Sequence, residues 1–102
     1  MVCVSLGGLV DKMNEKIKEA LGILQEECAE VIVEVSKCNR FGMNSLHYKT
    51  GLPHSDMLAT EIGDVLAMVD ILVDQGILSR DALDVAIHNK KEKLKVWSSI
   101  FS

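Results

Sequence analysis

Two short acidic motifs hold the residues of this chain that are best suited to chemistry. Glu26, Glu27 and Glu30 form an E-E-x-x-E pattern, and Glu61 and Asp64 form an E-x-x-D pattern. Side chains three or four positions apart lie on one face of a helix. If the two segments are neighbouring helices, four carboxylates meet, and each pair about 6 Å apart repels by roughly 2–3 kcal/mol at an effective dielectric near 20. A hard divalent cation with oxygen ligands would relieve that repulsion.

The segment that carries the first motif has an unbroken helical period. From about residue 9 to residue 40, apolar residues recur at steps of three and four. They are Met13, Ile17, Ala20, Leu24, Cys28, Val31, Val35 and Cys38. Residues 2–8, which end in Gly7-Gly8, are interpreted as a short lead-in. About thirty residues of helix span about 45 Å, whereas a compact domain of this size has a radius of gyration near 13 Å. We therefore expect the apolar stripe to need a partner chain.

Two further helices follow, over residues 55–75 and 79–98. Ser55 and Ser79 are suitable N-cap residues, and Gly76 suits the position just after a helix end. The apolar face of the second helix is Leu58, Ile62, Val65, Leu66, Val69, Leu72 and Val73, and that of the third is Leu83, Ile87, Leu94 and Trp97.

These patterns predict an all-α protein with one domain over residues 1–102. We expect long antiparallel helices that form a core of the four-helix-bundle type, completed by oligomerisation. Residues 41–54, between the first two helices, have no clear period and contain two glycines and the only proline. A connection of this length is often a binding loop or a lid. A flexible tether is the equally open alternative.

Composition excludes several classes of protein. The chain has 102 residues and a net charge of −4, and the acidic motifs account for that excess, which is unlike the basic surface of a nucleic-acid-binding protein. No apolar run approaches the roughly 20 residues of a membrane span, and the first residues lack the basic region of a signal peptide. Cys28 and Cys38 lie about 15 Å apart on one helix, too far to bridge. We expect reduced thiols and a cytoplasmic protein, with neither nucleic acid nor membrane as a partner.

The order of these motifs resembles a known family. An E-E-x-x-E helix, a loop and an E-x-x-D helix, in an all-α chain of about a hundred residues, resemble the MazG-like nucleotide pyrophosphohydrolases over about residues 15–97. The resemblance implies Mg²⁺-dependent hydrolysis of nucleoside triphosphates (NTP or dNTP) to monophosphate and pyrophosphate. The all-oxygen set of carboxylates suits Mn²⁺ as well as Mg²⁺. The resemblance also implies site roles. The metal ligands would be Glu27, Glu30, Glu61 and Asp64, and the catalytic residues would be Glu26 and Glu27. Glu26 would be an outer partner of the metal ligands or the base for the attacking water.

Cationic residues that face phosphate should accompany such a site. Lys37 and Arg40 follow the first motif on the same helix, and in the third helix Asn89, Lys90 and Lys93 are the candidates. Lys90 falls at an inward position of the apolar series, where a charge is unexpected. The family commonly has Asn with Lys or Arg near this point. This helix has lysines and no arginine between residues 89 and 98, so a solvated basic helix end remains the alternative.

A few other side chains are candidates for contact with a nucleotide. Phe41 and Tyr48 could stack on a base, although Phe41 could equally be a core residue. His47 and His54 are loop histidines, for which simple solvation is the more common state. Glu34 could join the acidic site or pair with Lys37, three positions further along the helix, and we expect the pair.

Two other functions stay open on the sequence alone. Phosphoribosyl-ATP pyrophosphohydrolase has a similar carboxylate pattern and a different substrate. A non-catalytic helical interaction module would use the same apolar stripe and carry an acidic, metal-binding or solvated face. The expected partners are a nucleoside triphosphate and further copies of the chain, as a homodimer or homotetramer.

Overall fold

Three α-helices make up the computed structural model, which describes the backbone from residue 4 and the side chains from residue 14. They are α1 (Val4–Phe41), α2 (His54–Asp74) and α3 (Arg80–Trp97). The described backbone contains no strand, and its single β-bridge joins Leu46 to Pro53. The predicted all-α class is therefore confirmed. Over the residues that the structure describes, no helix combines the length and apolarity needed to cross a membrane.

The first helix begins earlier than the sequence pattern indicated. α1 begins at Val4 rather than near residue 9, so the prediction of a lead-in was wrong for residues 4–8. A glycine costs only about 1 kcal/mol in a helix interior and keeps its backbone donor, so Gly7 and Gly8 do not end the helix. The side chains of Cys3 and Met13 lie outside the described residues. At the other end, Gly42 adopts a φ of 94° and donates its N–H to the Cys38 carbonyl at 2.9 Å.

Contacts group the chain into two compact units, Met1–Asp70 and Ile71–Ser102. Within the first unit, α1 and the start of α2 run antiparallel. The Cys38 thiol donates to the carbonyl of His54 at 3.6 Å, and eleven positions earlier on α1, Glu27 lies beside Asp64 of α2. Residues further along α2 therefore contact residues earlier in α1, as in an antiparallel helix pair.

The buried face of α1 differs from the predicted apolar stripe. Ala20, Glu34 and Cys38 are buried, and Leu24, Glu27 and Val31 are half-buried. Cys28 and Val35, which the sequence placed in the stripe, are exposed in the single chain. The predicted residues Val31 and Cys38 keep their place on this face, but Glu27 and Glu34 replace Cys28 and Val35, because the carboxylate side of α1 faces α2.

A similar exchange of positions occurs on α2. Met68 and Leu72 are buried and Glu61 is half-buried, whereas Ile62 and Leu66 are exposed. Cys28 and Cys38 are both free thiols, as expected. The two helices therefore bury faces that contain carboxylates and leave aliphatic side chains on the surface.

Backbone groups of the connecting loop, rather than Ser55, satisfy the start of α2. The helix begins at His54, so the predicted N-cap at Ser55 was wrong. The N–H groups of His54 and Ser55 donate to the carbonyls of Ser45 and Met43, both at 2.9 Å. Within the loop, His47 and Leu52 share a backbone hydrogen bond of 2.7 Å. These bonds favour an ordered loop over a flexible tether.

The second unit contains the turn between α2 and α3. Gly76, with a φ of 74°, donates to Val73, and Ile77 donates to Leu72, which is the Schellman pattern of a helix end. The hydroxyl of Ser79 accepts from the N–H of Ala82 at 3.2 Å. The predicted helix end at Gly76 and the N-cap at Ser79 are therefore confirmed.

No side chain of α3 is buried. Ile87 and Trp97, predicted to face inward, are exposed, and so is Lys90. The inward position assigned to Lys90 was therefore wrong for the single chain. The helical period predicts which residues share a face of α3, but it does not predict whether another part of the protein packs on that face.

Candidate metal centre

Three carboxylates from α1 and α2 converge in the first unit. One oxygen from each of Glu27, Glu61 and Asp64 lies within 4.8 Å of the other two. Glu27 and Glu61 are half-buried and Asp64 is exposed. Among the residues with described side chains, this is the only group of three or more acidic, histidine or cysteine ligands with such spacing. The structure thus brings together three of the four predicted metal ligands.

Helix geometry explains the convergence. Glu61 and Asp64 are three residues apart and share one face of α2. Glu27 lies on the buried side of α1, between the half-buried Leu24 and Val31. Since α1 and α2 run antiparallel here, a single residue of α1 can face a pair of residues one turn apart on α2.

Two carboxyl groups of this cluster, those of Glu27 and Glu61, have raised pKa values. The pKa of Glu27 is raised, first because burial disfavours its charged form, and then because Asp64 repels that form and accepts a hydrogen bond from protonated Glu27. The pKa of Glu61 is also raised, by burial first and then by the charges of Asp64, Glu30 and Glu27. A bound cation would reverse the effect of the neighbouring charges.

Glu30 and Glu26 lie around this cluster rather than within it. Glu30 is exposed and is not one of the three residues whose oxygens converge. Its charge nevertheless contributes to the raised pKa of both Glu27 and Glu61. Glu26 is exposed, and its charge contributes to the raised pKa of Glu27. Glu30 is therefore the natural fourth carboxylate, and Glu26 is adjacent to the cluster.

Glu34 is a buried acid that lay outside the predicted set of site residues. Only 5% of its surface is exposed. Its Oε1 accepts a hydrogen bond from the Lys37 ammonium at 3.3 Å, as expected for the i, i+3 pair. Its Oε2 has no hydrogen-bond partner among the described residues, and its charge contributes to the raised pKa of Glu61. The sequence signal was its spacing, one turn after Glu30 and two turns after Glu27.

The predicted phosphate-binding residues lie in different places. Lys37 is half-buried and paired with Glu34. Arg40 is exposed, and its guanidinium carbon lies 5.0 Å from the centre of the Phe41 ring. The three candidates of α3 belong to the second unit and are exposed: Asn89, Lys90 and Lys93.

The donor set fits a hard cation. Every side chain of the cluster offers carboxylate oxygen, the ligand type that Mg²⁺, Mn²⁺ and Ca²⁺ share. Close like charges and raised pKa values are the features expected of carboxylates arranged for a positive charge. Each of these three cations is therefore chemically compatible with the cluster.

Comparison with known proteins finds no matching family model, no matching curated protein and no matching solved structure.

Proposed function

We propose that this chain is a MazG-like nucleoside triphosphate pyrophosphohydrolase that uses Mg²⁺, or Mn²⁺ in its place, to release pyrophosphate and a nucleoside monophosphate. The observation that supports this most is the convergence of the oxygens of Glu27, Glu61 and Asp64 within 4.8 Å. These residues come from the two motifs on which the family resemblance rests. The raised pKa values of Glu27 and Glu61 are consistent with a site that needs a cation.

The carboxylates have two roles in this proposal. Glu27, Glu61 and Asp64 hold the ion, and Glu30 joins them as the fourth ligand. When bound, the ion supplies positive charge to the phosphate oxygens and acidifies a water molecule. Glu26, adjacent to the cluster, accepts the proton of the water that attacks phosphorus. The attacked atom is the α-phosphorus. Its bond to the oxygen that bridges the α- and β-phosphates breaks, and pyrophosphate leaves.

Cationic side chains would neutralise the remaining phosphate charge. Lys37 is the best-placed candidate because it already pairs with Glu34, whose charge acts on Glu61. Arg40, one turn later on the same helix, is the second candidate. We retain Asn89, Lys90 and Lys93 of α3 as proposed substrate-binding residues on the basis of the family resemblance.

A second copy of the chain is the proposed partner for the exposed aliphatic face. Ile32 is 69% exposed and Leu66 is 57% exposed. A shallow groove of about 240 Å³ lies between α1 and α2 and is lined by Cys28, Val31, Ile32, Ile62 and Val65. Apolar patches of this kind commonly mark interfaces. Pairing two such faces would form a core of the four-helix-bundle type and give a dimer, or a tetramer as a dimer of dimers.

Pyrophosphate release from a panel of ribo- and deoxyribonucleoside triphosphates, with Mg²⁺ and with EDTA, tests the proposed reaction. We expect metal-dependent release of pyrophosphate with an equal amount of monophosphate. Phosphoribosyl-ATP belongs in the same panel, and release from it alone would assign the alternative substrate. A folded chain that hydrolyses none of these compounds would contradict the proposal and favour a helical interaction module.

A further inference from the structure

A second concave feature lies in the first unit, where α1 ends and the connecting loop begins. It is a cavity of about 290 Å³, near the lower limit for a small-molecule site. Most of its wall is aromatic or imidazole surface. Its lining residues include Lys37, Phe41, Leu46, His47, Tyr48 and His54.

The rings of this pocket are fixed relative to one another. Phe41 and His54 are stacked, with ring centres 5.6 Å apart and planes 24° apart. His47 and Tyr48 are stacked with centres 5.1 Å apart, and His47 meets His54 edge-on at 5.8 Å.

Phe41 and Tyr48 nevertheless remain more than half exposed. The Arg40 guanidinium lies over the Phe41 ring at 5.0 Å, and the Lys49 ammonium lies over the Tyr48 ring at 5.6 Å. Both cationic residues are exposed, so a base that stacks on either ring has only an exposed side chain to displace.

His54, one of the residues that line this pocket, carries an unpaired polar atom. Only 5% of the residue is exposed. Its Nδ1 has no hydrogen-bond partner among the described residues, and a buried polar group without a partner is unfavourable. The neighbouring His47 differs, since its Nδ1 accepts from the N–H groups of Lys49 and Thr50.

Lys37 connects the pocket to the candidate metal centre. It lines the cavity and pairs with Glu34, whose charge acts on Glu61. Along α1, Lys37 lies about 10 Å beyond Glu30 and about 6 Å before Phe41 by helical rise. A cation therefore stands between the carboxylates and the aromatic rings, as a ligand with phosphates at one end and a planar ring at the other would require.

We propose that this pocket binds the nucleobase of the substrate, with Phe41 and Tyr48 stacking on the base and His54 Nδ1 hydrogen-bonding to its edge. The identity of the ligand as a nucleotide rests on the proposed function. Stacking on aromatic side chains accepts any base. His54 is then the residue that distinguishes one base from another.

Binding without metal tests the pocket separately from the reaction. AMP, CMP, GMP and UMP are titrated into the full chain in EDTA, and the imidazole Cε1–H resonances are followed by NMR. The chain has three histidines, and His88 on α3 serves as the internal control. We expect saturable shifts of His47 and His54 with at least one of the nucleotides, and none of His88.

Ribose 5-phosphate, which has no base, is the second control and should leave His47 and His54 unshifted. No shift with any of the four nucleotides, or equal shifts with ribose 5-phosphate, would overturn the proposed base site.

Three variants identify the residues responsible. Tyr48→Leu and Phe41→Leu should each weaken the binding of the best nucleotide by about tenfold. Trp97→Leu, which removes another highly exposed aromatic ring, should leave it unchanged. His54→Phe keeps a ring beside Phe41 and removes both nitrogens, so the four dissociation constants should become similar. Tyr48 is at the surface, so its variant provides a test even if a buried substitution impairs folding. Unchanged affinity and base preference across the folded variants would refute the assignment.

The two proposals can fail independently. Nucleotide binding in EDTA without pyrophosphate release in Mg²⁺ would retain the base site and reject the hydrolase. Pyrophosphate release without a shift of His47 or His54 would retain the hydrolase and reject this pocket.

Discussion

Glu27 of α1 and Asp64 of α2 place carboxylate oxygens within 4.8 Å of each other, across the antiparallel contact between the two helices. Asp64 is the neighbour that contributes most to the raised pKa of Glu27 after burial itself. The nearby Asp64 carboxylate disfavours the ionised form of Glu27. Substitution, a bound cation or protons can each relieve this repulsion, and each has a measurable consequence.

Neutralising either of these two residues should abolish metal-dependent turnover. Glu27→Gln and Asp64→Asn keep side-chain size and remove one anionic ligand each. We expect pyrophosphate release to fall by about 100-fold or more, with helix content unchanged by circular dichroism. The matched control is Glu19→Gln, on an exposed position of α1, which should retain activity. Activity of the wild-type level in either site variant would refute the assignment of the metal ligands.

Mg²⁺ should stabilise the folded chain whether or not a substrate is found. A cation that binds only the folded state raises the free energy of unfolding. At ten times the dissociation constant, the midpoint of thermal unfolding should rise by about 5–10 °C. Glu61→Gln should reduce this rise, whereas Glu19→Gln should preserve it. An equal rise in the wild type and in Glu61→Gln would indicate a non-specific effect of the ion.

The stability of the metal-free chain should depend on pH through Glu27 and Glu61. Both side chains have a pKa raised above the unfolded value of 4.5. At a pH between the unfolded pKa and the raised pKa of the folded state, the folded state therefore binds more protons than the unfolded state. Their contribution to stability is therefore greatest below about pH 4.5 and is lost as pH rises through the raised pKa values.

Urea unfolding in EDTA at a series of pH values measures this dependence. The Glu27→Gln, Glu61→Gln double variant should lose less stability than the wild type as pH rises through this window. The same pH profile in both proteins would show that these two groups do not control it. Adding Mg²⁺ should stabilise the wild type most at the high-pH end, because the ion binds the ionised carboxylates.

The exposed aliphatic face should mediate self-association. Ile32→Glu places a charge in the groove between α1 and α2, where a second copy is proposed to pack. We expect this variant to be monomeric by light scattering at concentrations where the wild type is a dimer or tetramer. Ile100→Glu is the matched control, since Ile32 and Ile100 are both 69% exposed in the single chain. This control should have the same oligomeric mass by light scattering as the wild type. A monomeric wild type would contradict the oligomer itself.

Two glycines should respond to alanine with opposite signs. Gly76 has a φ of 74° in the turn after α2, and alanine in that conformation should lower the free energy of unfolding by about 1 kcal/mol. Gly22 lies within α1, and a methyl group added there would meet no described atom within 4 Å, so Gly22→Ala should raise it by up to about 1 kcal/mol. Urea unfolding at one protein concentration measures both effects. A loss of stability in Gly22→Ala would mean that something covers this position.

Local features of the structure were predictable from sequence. The helical period gives the all-α class, and the spacing within each acidic motif gives carboxylates on a shared helix face, because 3.6 residues per turn fix that face. The cap at Ser79 and the helix end at Gly76 likewise depend on backbone bonds between residues close in the chain. The i, i+3 pair of Glu34 and Lys37 is local for the same reason.

Which face of each helix meets the other depended on the tertiary structure. α1 carries apolar residues on both sides of its acidic stripe, and adjacent positions differ by only about 100° around the helix. The period alone therefore allowed Cys28 and Val35 inside, whereas packing against α2 buries Glu34 and half-buries Glu27. The same packing decides that Asp64 joins Glu27 and Glu61 in the closest group while Glu30 remains outside it.

The sequence by itself thus determined the helices and the paired carboxylates on each of them, since these follow from interactions within a few residues. Only the tertiary structure decided which carboxylates converge, and it also formed the pocket around His54 from the end of α1 and a loop with no period. The physical reason is that contacts between α1 and α2 join residues far apart in the chain. How far each helix is rotated about its own axis decides which face packs, and that rotation leaves no periodic signal in the sequence.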